Sequence, residues 1–400
     1  MTRSPTVFLT VAVSTLAILP AAEAVQTEMG ENQRTEAAFS PDQAAPTEAQ
    51  ATRVTAFIEQ LQDPAFARRQ AATGELLRLD ESAAPMLKAA QKTASPEVAE
   101  RLGAVLSALR QKWFRERLRR LEENAGLNAP EDLPGSLQLR EVLAGDDTGA
   151  DFRRIMLLLL KSEPDLFAAG LYQPERLSEV LETRSAALAL ECDGRQDRDF
   201  PTASALALML IASQPELRLL RKTSANISRP FEDPRFDRLT QDGEYRSVVR
   251  GVVGRWIRRP GIAADRPLIF AIRHRLPAGR DVALRVLQRE GRGTQVYYAC
   301  MCLAALGDTS SIPLLESWLE SSQVIWPSPG VVPDQRADSR LQVQARDAAM
   351  AALIHLRKIP PASIGLKLLP APDTLYRIDS AGAVSDEIRG ERLTRYKSIE

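Results

Sequence analysis

Apolar positions recur along most of this chain at the spacing of helices that each bury one face. Val54, Phe57, Ile58 and Leu61 stand at i, i+3, i+4 and i+7, so they share one side of a first helix. Asp63 then reads as the cap of a second helix and Pro64 as its first residue, where a missing N–H costs nothing. Phe66, Ala72, Leu76 and Leu79 are its expected core positions. Ser82 reads as the cap of a third helix, which carries Met86, Leu87 and Ala90 inward. Ser95-Pro96-Glu97 opens a fourth, with an acid near its positive end. Its stripe is Val98, Leu102, Val105, Leu106, Leu109 and Trp113. From Arg115 to about Glu122 the same helix continues as a charged extension, read as a solvated face laced with Glu–Arg pairs.

The pattern also repeats. Asp63-Pro64-Ala65-Phe66 and Ser95-Pro96-Glu97-Val98 open helices 32 residues apart. Asp80-Glu81-Ser82-Ala83-Ala84-Pro85-Met86-Leu87 lines up with Asp308-Thr309-Ser310-Ser311-Ile312-Pro313-Leu314-Leu315, with Asp, Ser, Pro and Leu in step. Self-similarity of this kind marks stacked helical repeats, and 54–113 gives the clearest register. Prolines and glycines in 124–135 mark an internal boundary. Beyond it, helices are expected over 137–143, 151–161, 174–190, 201–213, 244–258, 265–276, 280–289, 294–306, 312–320 and 341–356, with a short one from Pro215. Leu157 to Leu160 is apolar all round, which predicts a deeply placed helix. The stretch 228–243 reads as a polar surface connection, 321–338 as a proline-rich loop, and the pattern weakens after Pro360.

The expected fold is therefore all-α, a solenoid of stacked antiparallel helix pairs. The map runs 1–24 leader, 25–50 disordered linker, 51–123 first helix pairs, 124–136 linker, 137–378 divergent stack and 379–400 tail.

Ala304-Ala305-Leu306-Gly307-Asp308 followed by Ile312-Pro313-Leu314-Leu315 resembles the HEAT-repeat consensus, in particular its bacterial HEAT-like form. The block 66–87 resembles the same family, and 343–356 is similar to the last helix of exported bacterial HEAT-like proteins of unassigned activity. These motifs cover about a third of the chain, and 124–290 departs from them. The resemblance implies an α-α superhelix and a scaffold or binding role. It brings no catalytic residues, because the motifs specify helix packing rather than chemistry.

Composition narrows the function. Apolar residues make up 44%, enough for a core, and 52 basic residues balance 52 acidic ones. Chains that wrap nucleic acid are basic overall, so specific nucleic-acid binding is disfavoured. Arg3, an apolar core over 7–19 and the small residues Ala22 and Ala24 read as a signal peptide cleaved before Val25. Export to the periplasm or beyond is the expectation, with an uncleaved signal anchor as the alternative. No later apolar run approaches the ~20 residues of a membrane span. Cys192, Cys300 and Cys302 show no zinc-ligand spacing with His274 or His355, and read as buried thiols. A bridge from Cys192 to one of the others is the alternative.

No nucleophile–base set, phosphate loop or cofactor motif is present. Gly251 and Gly254 read as close helix packing. The acids from Asp193 to Asp199 alternate as in a calcium loop, but lack its full order and closing Glu and enclose two Arg. Two candidate surfaces remain. The segment 246–292 holds twelve Arg against Asp265, Asp281 and Glu290. Arg250, Arg255, Arg258 and Arg259 cluster around Trp256, and Arg273 and Arg275 follow; guanidinium forks there suit anionic groups. Such arginines equally serve to pair with acids elsewhere in the fold. Trp326, in Val324-Ile325-Trp326-Pro327, is an interface if exposed and a cap if folded back. The expected function is a non-enzymatic scaffold for a protein partner, with no cofactor or metal. The alternatives are binding of acidic glycan or anionic lipid, and an enzyme, such as a hydrolase, without a recognisable motif.

Overall fold

The computed structural model of the chain describes residues 47–123, 133–143, 149–193, 200–241, 245–289, 291–326 and 341–399. Within them the protein is predominantly helical, as expected for an all-α fold. Thr47 caps α1 (Glu48–Gln60) by accepting the Gln50 N–H. Asp63 acts three residues ahead of α2 (Phe66–Leu76). Its carboxylate accepts the Ala65 N–H at 2.8 Å and pairs with Arg68 at 3.0 Å, while Ala65 itself provides no side-chain cap. Helix α2 thus starts later than the sequence suggests, and Phe66 is exposed rather than in the core. At about 100° per residue, Phe66 lies about 120° around the helix from the buried Ala72 and about 80° from the buried Leu76, towards the edge of the buried face.

The repeated octapeptide folds the same way twice. Asp80 accepts the Ser82 N–H at 3.1 Å, a single 3₁₀ turn covers Glu81–Ala83, and α3 (Ala84–Thr93) follows with Pro85 in its first turn and Leu87 buried. Asp308 accepts the Ser310 hydroxyl at 2.6 Å, the turn covers Thr309–Ser311, and α16 (Ile312–Ser317) follows with Pro313 in its first turn and Leu315 buried. The cap of α3 is therefore prepared by Asp80, not by Ser82.

Helix α4 (Pro96–Glu123) buries the whole expected stripe, and its charged end carries an Arg119–Glu123 pair. After it come α5 (Ser136–Leu143), α6 (Gly149–Ser162), α7 (Pro164–Tyr172), α8 (Leu177–Asp193), α9 (Thr202–Ala212), α10 (Arg221–Ile227), α11 (Pro234–Gln241), α12 (Arg246–Arg258), α13 (Asp265–His274), α14 (Ala278–Gln288) and α15 (Thr294–Leu306). Helix α17 (Ala345–Leu356) closes this series. The helix expected from Pro215 is absent, and α10 takes that role further on. The expected surface connection over 228–243 instead contains the 3₁₀ turn Arg229–Glu232 and α11, with Phe231 and Phe236 buried.

Contacts link the helices in a continuous series. Helix α1 packs on α2 and α3, α3 on α4, α4 on α6 and α7, and α7 on α8. Helix α8 meets α9 and α10, α9 meets α12, α12 meets α14, α14 meets α15, and α15 meets α17. The most enclosed helices are α9, α15 and α17, in which long runs of consecutive residues are buried. The expected depth of α6 is not found, because Leu158 is exposed while Leu159 and Leu160 are buried. Glycine permits one close crossing: a Cβ on Gly251 of α12 would stand 2.3 Å from Val142 Cγ1 of α5.

Two short β pairs interrupt the helices. Strand β1 (Val324–Trp326) runs antiparallel to β2 (Val343–Gln344), just ahead of α17. Strand β3 (Pro370–Ala371) pairs with β4 (Leu375–Tyr376). The segment after Pro360 is not a tail. It forms α18 (Ile378–Ala381) and α19 (Asp386–Ile399), and Arg389 of α19 is buried in an ion pair with Asp347 of α17 at 3.0 Å. Among the described residues no helix is long and apolar enough to cross a membrane.

Candidate functional site

The arginines of 246–292 do not line a single groove; most serve separate structural contacts. Arg255 pairs with Glu141 of α5 and Arg258 with Asp281 of α14 at 2.9 Å. Arg259 is only 8% exposed and donates to the carbonyls of Ala212, Gln214 and Leu217. It thereby supplies a cation and N–H donors to the carbonyl end of α9, where both are favourable. Arg285 gives an N–H to the carbonyl of Arg258 at 2.8 Å, and so caps α12 in the same manner. Arg266 reaches Glu232 and the carbonyl of Ala225. Arg280 reaches Asp308 at 2.8 Å and Ser310 at 3.0 Å. Trp256 is fully buried, its indole N–H donating to Ser228 Oγ at 3.1 Å. The expectation of surface contacts is corrected for Trp256 and Arg259, which lie inside the fold.

Other members of the segment are uncommitted. Among the described residues the side chains of Arg246, Arg250, Arg275, Arg289 and Arg292 form no hydrogen bond or ion pair. Arg246 and Arg250 are one turn apart on α12, on one face. Burial, and then the charge of Arg246, disfavours the Arg250 cation. Arg275 is exposed, with a left-handed φ of 48° after the end of α13. Trp326 lies half-buried in β1 beside the buried Ile325, so this part of the loop is folded back. Residues 327–340 lie outside the described residues, as do Ala22 and Ala24.

The strongest polar cluster centres on His274, whose side chain is 1% exposed. One ring nitrogen, Nε2, lies 2.8 Å from Asp237 Oδ1, and Nδ1 lies 2.8 Å from Thr240 Oγ1. Arg273 donates to Asp237 Oδ2 at 2.6 Å and to Asp373 at 2.8 Å, joining α11, α13 and the turn between β3 and β4. Burial alone would raise the Asp237 carboxyl, but the bonds from His274 and Arg273 outweigh it and hold the group below its ordinary value. The ring of His274 lies 4.3 Å from that of Phe270, which stacks on Phe231 at 4.4 Å. A catalytic base needs a nitrogen that a substrate proton can reach. Both nitrogens of His274 are engaged and its ring is covered, so the arrangement joins helices rather than moving protons.

His355 is half-buried, with Nδ1 2.9 Å from the Tyr376 hydroxyl. Burial and then the charge of Arg275 lower its pKa.

A cleft of about 540 Å³ lies between the end of α8 and the start of α11, bordered by Cys192, Asp193, Arg229, Asp233, Arg235 and Arg238. Its charges largely cancel, Arg229 pairing with Asp193 and Arg235 with Asp233, both at 2.6 Å. Burial, aided by Asp233 and Asp193, pushes the Cys192 thiol up to about 12. A thiol held protonated is a poor nucleophile. The acidic run beyond Asp193 lies in 194–199, outside the described residues. All three cysteines are free, and Cys300 and Cys302 are buried. Among the described residues no group of three His, Cys, Asp or Glu is placed to hold a metal ion.

Asp237 and Thr240 are hidden in the sequence because 228–243 is polar and proline-containing and carries no unbroken apolar stripe. The signal was there: Asp233-Pro234 opens α11 with the same pair of residues as Asp63-Pro64. No protein-family model, curated protein or solved structure matches the chain.

Proposed function

We propose that this chain is an exported, non-enzymatic HEAT-like solenoid that presents its helices as a scaffold to an acidic surface of a protein partner, in the periplasm or outside the cell. The observation that carries the reading is the continuous series of helix contacts from α1 to α17. An array in which each helix leans on its neighbours generates extended surface, the property that repeat proteins use to bind other proteins. The repeated Asp–turn–Pro–helix unit at both ends of the series supports the repeat register. Arg246 and Arg250 are the cations of the basic segment that share one helical face and lack acidic partners among the described residues, and they are the contacts we assign to the partner.

Crosslinking of the exported protein in its native envelope, with identification of what is attached, tests the reading. A protein adduct lost in Arg246→Glu/Arg250→Glu and weakened by salt supports it, since exposed charges are screened beyond about 8 Å at physiological ionic strength. Retention on a sulfated polysaccharide with no protein adduct would replace it with glycan binding. Reversing Arg255, Arg258 and Arg259 is a poor test, because each holds the fold together.

A further inference from the structure

A second basic feature lies far from α12, in the crease where α3 and α4 meet α7. The Lys88 ammonium of α3 reaches across to the carbonyl of Tyr172, at the end of α7, at 3.0 Å. Arg110 stands one turn before Trp113 on α4, and the Trp113 ring lies 6.0 Å from that of Tyr172. Arg110 therefore opens on the same crease as Lys88. Its Nε is buried without a hydrogen-bond partner, and its side chain forms no hydrogen bond or ion pair among the described residues.

Several part-buried arginines are matched, Arg184 by Glu163 at 2.5 Å, Arg117 by Glu81 at 3.4 Å and Arg273 by Asp237; Arg110, like Arg250, is not. Here burial disfavours the charge on both Lys88 and Arg110, and Lys88 feels Arg110 and Lys92 as further cations. Glu175 opposes this from an exposed position, yet it forms no ion pair with either among the described residues. Two partly desolvated cations with no directly paired acid among the described residues are costly in the free protein, and an arriving anion that accepts from both reduces that cost.

We propose that Lys88 and Arg110 form a receptor for a carboxylate of an acidic peptide segment on a partner protein. Arg110 offers the planar fork that matches a carboxylate, and Lys88 a second charge. The proposal deepens the scaffold reading and rests on it for the protein nature of the partner.

The test is calorimetric titration of the full chain with hexaglutamate, hexaglutamine and inorganic phosphate, together with thermal unfolding of each variant. Hexaglutamate is expected to bind and hexaglutamine not. Lys88→Gln and Arg110→Gln should each weaken binding about tenfold or more, a change of about 1.4 kcal/mol. Arg110→Gln should leave Tm unchanged or raised, because it removes an unmatched cation; a purely structural arginine would lower it. Hexaglutamate binding indifferent to Arg110→Gln, tighter uptake of phosphate than of peptide, or a lowered Tm in Arg110→Gln would each overturn the proposal. Arg246→Glu/Arg250→Glu separates the two readings. Binding lost there but kept in Arg110→Gln refutes the crease and leaves the scaffold contact on α12 standing.

Discussion

Arg259 does for α9 what Arg153 does for α4 and Arg285 for α12: it brings a cation to backbone carbonyls that a helix end leaves without N–H partners. An arginine suits this task because its fork holds several donors in one plane and keeps its charge when buried. Replacing Arg259 by Gln strips donors from three carbonyls around the end of α9. We expect a loss of about 2–3 kcal/mol in urea unfolding. Arg250→Gln removes a half-buried arginine with no partner among the described residues and should stay within about 0.5 kcal/mol. Equal effects would mean that Arg259 is not a cap. Asp237 allows a test by pH. Its folded pKa lies below the ordinary 3.8, so its stabilising contribution is complete above that value and disappears as pH falls through the lower folded value. In Asp237→Asn the stability should depend less steeply on pH below 3.8 than in the parent. Parallel acid limbs for the two proteins would remove Asp237 from the account.

Helix packing sets stricter limits than helix formation. Gly251 and Gly254 are three residues apart on α12, yet they should respond differently to alanine. The added Cβ at 251 would stand 2.3 Å from Val142 Cγ1 and force α5 and α12 to shift, while at 254 it would meet Ala278 Cβ at an ordinary 3.5 Å. Gly251→Ala should cost about 1–3 kcal/mol by overpacking. Gly254→Ala should be neutral or gain up to about 1 kcal/mol from helix propensity. Chemical denaturation of the two variants decides this, and a stabilised Gly251→Ala would show that the crossing has room. Helices whose apolar stripes are unbroken were legible in sequence: α4, α9 and α15 lie where the pattern puts them. Those that bury charge were not. In α19, Arg389, Leu393 and Tyr396 stand at i, i+4 and i+7, but an arginine occupies an apolar slot, and only its pairing with Asp347 makes that position an inside one. Helix α11 was hidden likewise, because Asp237 faces inward to meet His274 and Arg273. The basic segment looked like a surface for the complementary reason: its acids, Glu141, Glu232, Asp237, Asp308 and Asp373, are distant in sequence.

Across the molecule, burial is graded along the chain, and stability should follow it. Helix α1 buries only Val54 and α2 only Ala72 and Leu76, whereas most residues of α15 and α17 are buried, in the unbroken runs 299–304 and 347–354. Each fully buried apolar side chain contributes about 1.5–3 kcal/mol against exposure, so the difference between the first two helices and α15 or α17 is many times thermal energy. In an array of neighbour contacts that difference is not shared equally, since α1 and α2 can open without disturbing α9 or α15. Hydrogen exchange followed by peptide mass should therefore give the fastest protected amides in α1 and α2 and the slowest in α9, α15 and α17. Cys300 and Cys302 report on the same event through their thiols. Both are buried, with burial pushing each up to about 12. They should resist alkylation until α15 opens, after α1 and α2 have exchanged. If α1 and α2 exchange at the rate of α15, and the thiols react in step with them, the chain opens as one cooperative body and the neighbour-by-neighbour account of its stability is wrong.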